Sequence, residues 1–327
     1  MRELRAYSFG GRMMNASLET DILKGVSRSF YLSLRFLPVP MRRPAVIAYL
    51  LARTTDTIAD SASVPHTERM ERLTVILEDL RHGRTDAEIP AGLISSTPLI
   101  RERQLLESYS RLMEALVSLS IAEIGLIHEV LKIIVSGQIL DLERFGTRTG
   151  EEIRTLANPQ RLEDYTWRVA GSVGEFWTKL GYLTLREKFS REDPAILLTH
   201  AAKYGQGLQL VNILRDLPED LAQGRCYLPV KNPKDEQELM ESFSAWRQQA
   251  NVWVKHGRQY SAALGTARLK ISSALPAMIA METLEQIEGA SFSQLSERIK
   301  IPRKRVYRLI WQAWLESLKA SGGSYVS

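Results

Sequence analysis

The fold is decided by the stretch Arg42-Arg-Pro-Ala-Val-Ile-Ala-Tyr49-Leu-Leu-Ala-Arg53-Thr-Thr-Asp56-Thr-Ile-Ala-Asp60. Its polar residues Tyr49, Arg53, Asp56 and Asp60 recur at steps of four, three and four, which places them on one face of an α-helix. The other faces are apolar and require a core. Two aspartates on such a helix must face a solvated cavity or a cation. We call these four residues the first acidic row.

A second acidic row follows much later in the chain, with Gln209, Asn212, Asp216 and Asp220 at steps of three, four and four. Both rows contain Asp-x-x-x-Asp, whose carboxylates lie roughly 6 Å apart on a helix and repel each other unless a cation lies between them. Mg²⁺ binds through one or two carboxylates plus substrate phosphates. Two rows facing each other across a cavity would hold a diphosphate through Mg²⁺ and neutralise it as a leaving group.

A single Asp-x-x-x-Asp motif is weak, because acidic pairs with this spacing are common on solvated helix faces. Two copies, each in an apolar helix and each accompanied by arginine, favour a functional site. One residue disturbs the second copy. Pro218 removes a helical N–H between Asp216 and Asp220 and predicts a helix end or kink there. Asp216 is therefore the better candidate for a direct metal ligand.

Helical periodicity dominates the rest of the chain and predicts an all-α fold with no internal repeat and no dividing linker. The predicted helices are Leu18–Leu34, Arg42–Asp60, Thr67–His82, Ile100–Val117, Ile121–Phe145, Leu162–Leu185, Pro194–Leu217, Glu236–Leu264 and Ser272–Ile287. We expect one domain over residues 1–327, with a flexible segment at residues 1–15 and terminal helices at residues 288–327 that pack on the bundle.

Composition is typical of a globular protein, with 44% hydrophobic and 25% charged residues among 327. The single cysteine, Cys226, excludes an internal disulfide framework and fits a reducing compartment. The net charge of +5 is compatible with a diphosphate, a membrane surface or nucleic acid. The N-terminus lacks a signal-peptide core, and the most apolar stretch, Leu116–Gly137, is interrupted by charges. A cytoplasmic location is expected.

Several motifs resemble the squalene/phytoene synthase family of head-to-head prenyl transferases. Asn212-Ile-Leu-Arg-Asp216-Leu-Pro-Glu-Asp220 and Gly224-Arg-Cys-Tyr-Leu-Pro229 are similar to its second aspartate-rich motif and the segment after it. Ala52-Arg-Thr-Thr-Asp56-Thr-Ile-Ala-Asp60 is similar to its first. Ser27-Arg-Ser-Phe-Tyr31 resembles the N-terminal signature, and Tyr165-Thr-Trp-Arg-Val-Ala-Gly-Ser-Val-Gly174 resembles the central motif.

The resemblance implies a helical bundle of the isoprenoid synthase type around a central apolar cavity, and it assigns roles to individual residues. The implied metal ligands are Asp56, Asp60, Asn212, Asp216 and Asp220. The implied catalytic residues are Tyr165, Asp56, Asp60 and Arg53. The implied substrate contacts are Ser27, Arg28, Phe30, Tyr49, Arg53, Gln209, Asn212, Arg215, Arg225 and Tyr227. The small residues Ala170, Gly171 and Gly174 would let a prenyl chain approach the backbone, or would serve helix packing.

The implied reaction joins two farnesyl diphosphates into presqualene diphosphate and then squalene, with Mg²⁺ or Mn²⁺ as the metal and NADPH as the hydride donor. The alternative products are phytoene or dehydrosqualene, which need no NADPH. The implied pathways are sterol, hopanoid or carotenoid biosynthesis. Peripheral contact with the inner face of a membrane is compatible with such greasy products, and the sequence does not indicate an oligomeric state.

Two other classes of function compete with this interpretation. Ser291–Pro302 followed by the basic cluster at Arg303–Arg305 has the rhythm of a DNA-binding helix-turn-helix. Packing of these helices on the bundle is the favoured alternative, so no nucleic acid partner is expected. The other class is a head-to-tail chain elongator or a terpene cyclase on a similar helical scaffold. Elongators usually carry Asp-Asp-x-x-Asp, and neither acidic row begins with paired aspartates, which argues against them.

Overall fold

The computed structural model describes residues 18–27, 30–146, 152–297, 305 and 308, and these residues are predominantly helical, as predicted. The chain divides into two compact units. Unit 1 comprises Met1–Arg35 and Val39–Leu142, and unit 2 comprises Phe36–Pro38 and Glu143–Ser327. The predicted single domain and central cavity stay predictions, and the expectation for residues 1–15 falls outside the described residues.

The elements of unit 1 are helical throughout its described residues. They are a π-helical turn at Leu18–Ile22, α1 Leu23–Val26, α2 Phe30–Phe36, α3 Val39–Ala59, α4 His66–His82, α5 Ala91–Ser96, α6 Ile100–Glu107, α7 Tyr109–Val117 and α8 Ile121–Phe145. The last residue of α2 and residues 143–145 of α8 belong to unit 2.

Unit 2 combines long helices with a minimal parallel sheet. Its helical elements are α9 Pro159–Thr166, a π-helical turn at Trp167–Gly171, α10 Ser172–Leu185, a 3₁₀ turn at Arg186–Lys188, α11 Pro194–Arg215, α12 Leu217–Ala222, α13 Glu236–Ala263, α14 Ala267–Gln286 and α15 Phe292–Ser296. The strands β1 Arg154–Thr155 and β2 Arg225–Cys226 pair in parallel, with Arg154 opposite Arg225.

Helix α3 carries the first acidic row and shows the burial that its sequence predicts. Leu50, Leu51 and Ile58 are completely or almost completely buried. Arg53 and Asp56 lie on the partly exposed face. The apolar faces therefore fix the helix in unit 1 and leave the acidic face in contact with solvent.

Helix α11 carries most of the second acidic row and is defined at both ends by its sequence. Asp193 caps its start by accepting a hydrogen bond from the Ala195 N–H at 2.7 Å, and Pro194 occupies the first helical position. The helix ends at Arg215, so the break predicted from Pro218 occurs. Pro218 then lies in the first turn of α12, where no N–H is needed.

Several helix boundaries differ from the sequence-based prediction. The predicted helix Leu18–Leu34 is interrupted at Ser27, and Ile100–Val117 is interrupted at Ser108. The hydroxyls of both serines donate back to the preceding turn, to the carbonyls of Leu23 and Gln104. The same bond occurs at Thr54 inside the unbroken α3, so it does not by itself end a helix. Helix α5 and the two short strands were not predicted, because segments of two to six residues carry too little periodicity.

The terminal region is described only in part. Helix α15 has a capping box between Ser291 and Gln294. From the basic cluster, Arg305 forms an ion pair with Glu282 of α14 at 2.8 Å. Arg305, one cation of the basic cluster, therefore contacts unit 2 itself. Beyond residue 297 the structure describes only Arg305 and Arg308, so the rest of the terminal helices expected at residues 288–327 lies outside the described residues.

Glycines allow the helices of unit 2 to pack backbone against backbone. A Cβ at Gly174 would lie 2.2 Å from the carbonyl oxygen of Ala201 on α11. A Cβ at Gly205 would lie 2.2 Å from the carbonyl oxygen of Ala170. Of the two roles proposed for Gly174, helix packing is therefore the one that the contacts support.

Replacing Gly205 with alanine is expected to lower the free energy of unfolding by about 1–3 kcal/mol, because the new methyl group must push two helices apart. The matched control is Gly125→Ala in α8, where nothing lies within 4 Å of the added Cβ. That change should raise stability by about 0.5–1 kcal/mol through helix propensity. Urea denaturation of both variants measures the difference, and equal stabilities would contradict the packing argument.

Candidate active site

The first acidic row forms a charged cluster on unit 1. The guanidinium of Arg53 contacts the Asp56 carboxylate through Nη1, and its Nη2 lies 2.6 Å from Oε1 of Glu102 on α6. Asp60 lies in the turn just after α3, yet its N–H still bonds to the carbonyl oxygen of Asp56 at 2.9 Å. Both aspartates therefore keep the one-turn spacing that the sequence predicts.

Arg53 balances the charges of this cluster. Burial opposes the charge on its guanidinium, but Asp56 and Glu102 outweigh burial, so the pKa of Arg53 is raised. The Arg53 side chain is 28% exposed. Of its two carboxylate partners, Asp56 is 43% exposed and Glu102 is 16% exposed. Asp56 is therefore the partner that a ligand can reach.

The start of the N-terminal signature lies next to Tyr49 of the first acidic row. The Tyr49 hydroxyl donates a hydrogen bond to the carbonyl oxygen of Val26 at 3.2 Å, which brings the end of α1 next to the first acidic row. Ser27 follows directly and is buried. Arg28 and the side chain of Phe30 lie outside the described residues, so their predicted contacts with substrate stay predictions.

The second acidic row lies on unit 2, at the junction of α11 and α12. Arg215 binds the Asp216 carboxylate with two hydrogen bonds, Nε to Oδ1 at 2.8 Å and Nη2 to Oδ2 at 2.6 Å. The hydrogen bond to Asp216 raises the pKa of Arg215. Asn212 is exposed and Gln209 is partly exposed on the same helix face. Both acidic rows thus pair an aspartate with an arginine of the same motif.

Asp220 differs from the other three aspartates in its burial. Its N–H bonds to the carbonyl oxygen of Asp216 at 2.9 Å, so the one-turn spacing survives the helix break at Pro218. Nη2 of Arg225 lies 2.9 Å from its Oδ1. Burial raises the pKa of the Asp220 carboxyl to about 6, although Arg225 acts in the opposite direction.

An aromatic cluster adjoins this part of unit 2. Tyr165 and Tyr227 are buried and stack with ring centroids 4.9 Å apart, and Phe145 meets Tyr227 edge-on at 5.2 Å. The cluster brings together the central motif and the segment that follows the second acidic row. Aromatic faces of this kind stabilise a nearby cation. The implied catalytic role of Tyr165 stays a prediction.

The acidic rows fit a divalent cation whose coordination is completed by phosphate oxygens and waters. The described residues contain no group of three or more His, Cys, Asp or Glu side chains arranged as a metal site. Each row nevertheless offers two carboxylates one helical turn apart, and Mg²⁺ needs only one or two of them when phosphate oxygens and waters fill the other positions.

The family model described as squalene/phytoene synthase matches residues 23–305, which include both acidic rows. The chain belongs to the squalene/phytoene synthase family. Members of this family are prenyl transferases.

Relatives in this family differ in their named products. The 15-cis-phytoene synthase of Synechocystis is 25% identical over 308 residues, which cover 89% of this chain and 82% of that protein. The presqualene diphosphate synthase of Rhodopseudomonas palustris is 31% identical over 218 residues, covering 66% of this chain and 64% of that protein. A lycopene cyclase/phytoene synthase of Blakeslea trispora is 30% identical over 65% of this chain, which spans only 32% of that bifunctional protein.

Solved structures support the fold of the family. The complex of TcSQS with the ligand BPH1237 is 28% identical, with a TM-score of 0.77 over 94% of this chain and 89% of that chain. A dehydrosqualene synthase with a bound ligand has a TM-score of 0.65 at 21% identity, with coverage of 97% and 99%. The predicted isoprenoid synthase type of fold is thereby confirmed.

Sequence analysis missed two residues of these clusters. Glu102 lies in Leu99-Ile-Arg-Glu-Arg103, a charged stretch that carries no motif, and only the structure places it against Arg53. Phe145 ends the long helix α8, and the sequence analysis gives it no role in the site. The sequence of α6, Ile100-Arg-Glu-Arg-Gln-Leu-Leu-Glu107, gives no signal that separates Glu102 from a solvated glutamate.

Replacing Arg225 with glutamine is expected to raise the pKa of the Asp220 carboxyl above about 6, because Arg225 is the group that counteracts burial. Carboxyl ¹³C NMR titration of protein without divalent cations measures this shift. Arg247→Gln serves as the control, since Arg247 pairs with Glu288 instead. An unchanged Asp220 titration in the Arg225 variant would contradict the assigned contact.

Proposed function

We propose that this protein uses Mg²⁺ or Mn²⁺ to ionise allylic prenyl diphosphates and joins two of them head to head, with farnesyl diphosphate as substrate and squalene as product. The observation that carries the proposal is the pair of acidic rows, each partly exposed and each combined with arginine. Bound cations would supply charge neutralisation of the leaving diphosphate. Asp56, Asp60, Asn212, Asp216 and Asp220 would hold them.

Other residues of the chain would contact the phosphates and stabilise the carbocation. Arg53 and Arg215 are held beside the aspartates and can turn to phosphate oxygens, for which the guanidinium fork is well suited. Tyr165 and Tyr227 present a stacked aromatic surface that favours carbocations over neutral species. The buried environment of these rings also limits capture of a cation by water.

Phytoene or dehydrosqualene is the second candidate product. The similarity to the Synechocystis phytoene synthase over most of both chains favours it, whereas the similarity to the Rhodopseudomonas presqualene diphosphate synthase favours the squalene route. NADPH is needed only for squalene, so its effect on the product separates the two candidates.

Contact with a membrane surface is part of the proposal, because the hydrocarbon product is insoluble in water. None of the described helices is both long and apolar enough to cross a membrane. Val39 at the start of α3 is 71% exposed and Ile121 at the start of α8 is 90% exposed. Arg43 Nη2 on α3 lies 2.7 Å from the hydroxyl of Ser118, which shortly precedes α8. Val39 and Ile121 therefore lie on neighbouring elements, beside the positive charge of Arg43.

Asp56→Asn and Asp216→Asn are each expected to lower turnover by at least about 100-fold, or about 2.7 kcal/mol of transition-state stabilisation. Each change removes a cation ligand and leaves the fold intact, because both carboxylates are partly exposed. Release of diphosphate and the hydrocarbon formed from farnesyl or geranylgeranyl diphosphate, with and without NADPH, are measured. Squalene is expected from farnesyl diphosphate with NADPH.

The matched control is Asp86→Asn, which changes an exposed aspartate of unit 1 outside both rows. It should retain the wild-type rate. Wild-type turnover that persists in excess chelator, or in Asp56→Asn, would overturn the proposed role of the acidic rows.

Ile121→Ser is expected to reduce cosedimentation of the protein with anionic lipid vesicles, because it removes the most exposed apolar side chain of the proposed contact. Ile196→Ser, at a 49% exposed position of unit 2, is the control. Equal vesicle binding by both variants and wild type would argue against this surface.

A further inference from the structure

Glu102 is a charged residue that belongs to none of the motifs above, yet it holds the central arginine of the first acidic row. Its Oε1 lies 2.6 Å from Nη2 of Arg53, and its side chain is only 16% exposed. Arg53 uses its other terminal nitrogen, Nη1, for Asp56. The guanidinium therefore lies between two carboxylates, of which Glu102 is the more buried.

The position of Glu102 is fixed by its helix. It is the third residue of α6, where the N-terminal end of the helix dipole favours a negative charge. α6 packs against both α1 and α3 within unit 1. Its neighbour Arg101 reaches the carbonyl oxygen of Gly25. Glu102 is thus a fixed anchor rather than a solvated side chain.

The cluster has a consequence for cation binding. A cation that binds the Asp56 carboxylate competes with Arg53, whose Nη1 contacts Oδ2 of the same group. With Glu102 present, Arg53 keeps a carboxylate partner when it yields Asp56 to the cation. Without the charge of Glu102, Asp56 would be its only carboxylate partner among the described residues, and Arg53 would compete more strongly with the cation.

We propose that Glu102 is a positioning residue for diphosphate binding, which keeps Arg53 beside the first acidic row while Asp56 binds the cation. This inference rests on the proposed function and deepens it, because it adds a residue to the diphosphate site. Arg53, held in place by Glu102, can then donate hydrogen bonds to phosphate oxygens. A purely structural ion pair would instead alter thermal stability and leave diphosphate affinity unchanged.

The test uses the full chain and inorganic pyrophosphate as the probe, with MgCl2 present, in isothermal titration calorimetry. Glu102→Gln keeps the shape of the side chain and removes its charge. It should weaken pyrophosphate binding about tenfold, as is typical when a group that orients a ligand-binding residue is lost. It should also raise KM more than it lowers kcat. Glu102→Asp, which retains the charge, should recover part of the affinity.

Glu107→Gln is the matched control, because it removes the same charge from an exposed position at the other end of α6. It should bind pyrophosphate like wild type. A double-mutant cycle with Arg53→Gln separates positioning from general effects. If Glu102 acts through Arg53, adding Glu102→Gln to Arg53→Gln causes no further loss of affinity.

Two results would overturn the inference. One is wild-type pyrophosphate affinity in Glu102→Gln, and the other is a full tenfold additional loss in the Arg53→Gln background. Should Glu102→Gln fail to fold, the affinity of Glu102→Asp relative to Glu107→Gln decides the question. If Asp56→Asn abolishes turnover while Glu102→Gln binds normally, only this inference fails; if Asp56→Asn keeps full turnover, the proposed function fails first.

Discussion

Repulsion between carboxylates one helical turn apart is the constraint on which both candidate clusters depend. On a helix whose other faces are buried, the two carboxylates share one partly exposed face, where positive charge from a side chain or a cation offsets their repulsion. In this protein arginines supply that charge: Arg53 for Asp56, Arg215 for Asp216 and Arg225 for Asp220. Each of these three aspartates is therefore oriented by an arginine, and each arginine lies beside a proposed cation ligand.

Spacing made the two acidic rows predictable from sequence. Steps of three and four residues place side chains on one helix face whatever the tertiary structure, and the surrounding apolar residues identify which faces are buried. The end of α11 at Arg215 was equally predictable, because Pro218 cannot donate the hydrogen bond that a continuing helix requires. The resemblance to a family added the roles of these residues, which spacing alone does not give.

Contacts between distant segments were not predictable in the same way. Glu102 meets Arg53, and Phe145 meets Tyr227, through packing of helices that are far apart in sequence. The role of Gly174 was ambiguous for the same reason, because only the position of Ala201 shows that a methyl group has no room there. Interruptions at single serines also escaped detection, since Ser27 and Ser108 are not turn signals of the strength of glycine or proline.

The central claim, that both acidic rows bind the cations of a diphosphate, is tested most directly by anomalous diffraction from crystals soaked with Mn²⁺ and inorganic pyrophosphate. The account predicts anomalous peaks at about 2.1 Å from carboxylate oxygens of Asp56 and of Asp216, with pyrophosphate oxygens completing the coordination. Mn²⁺ bound elsewhere, with Arg53 and Arg215 still paired to their aspartates, would contradict it.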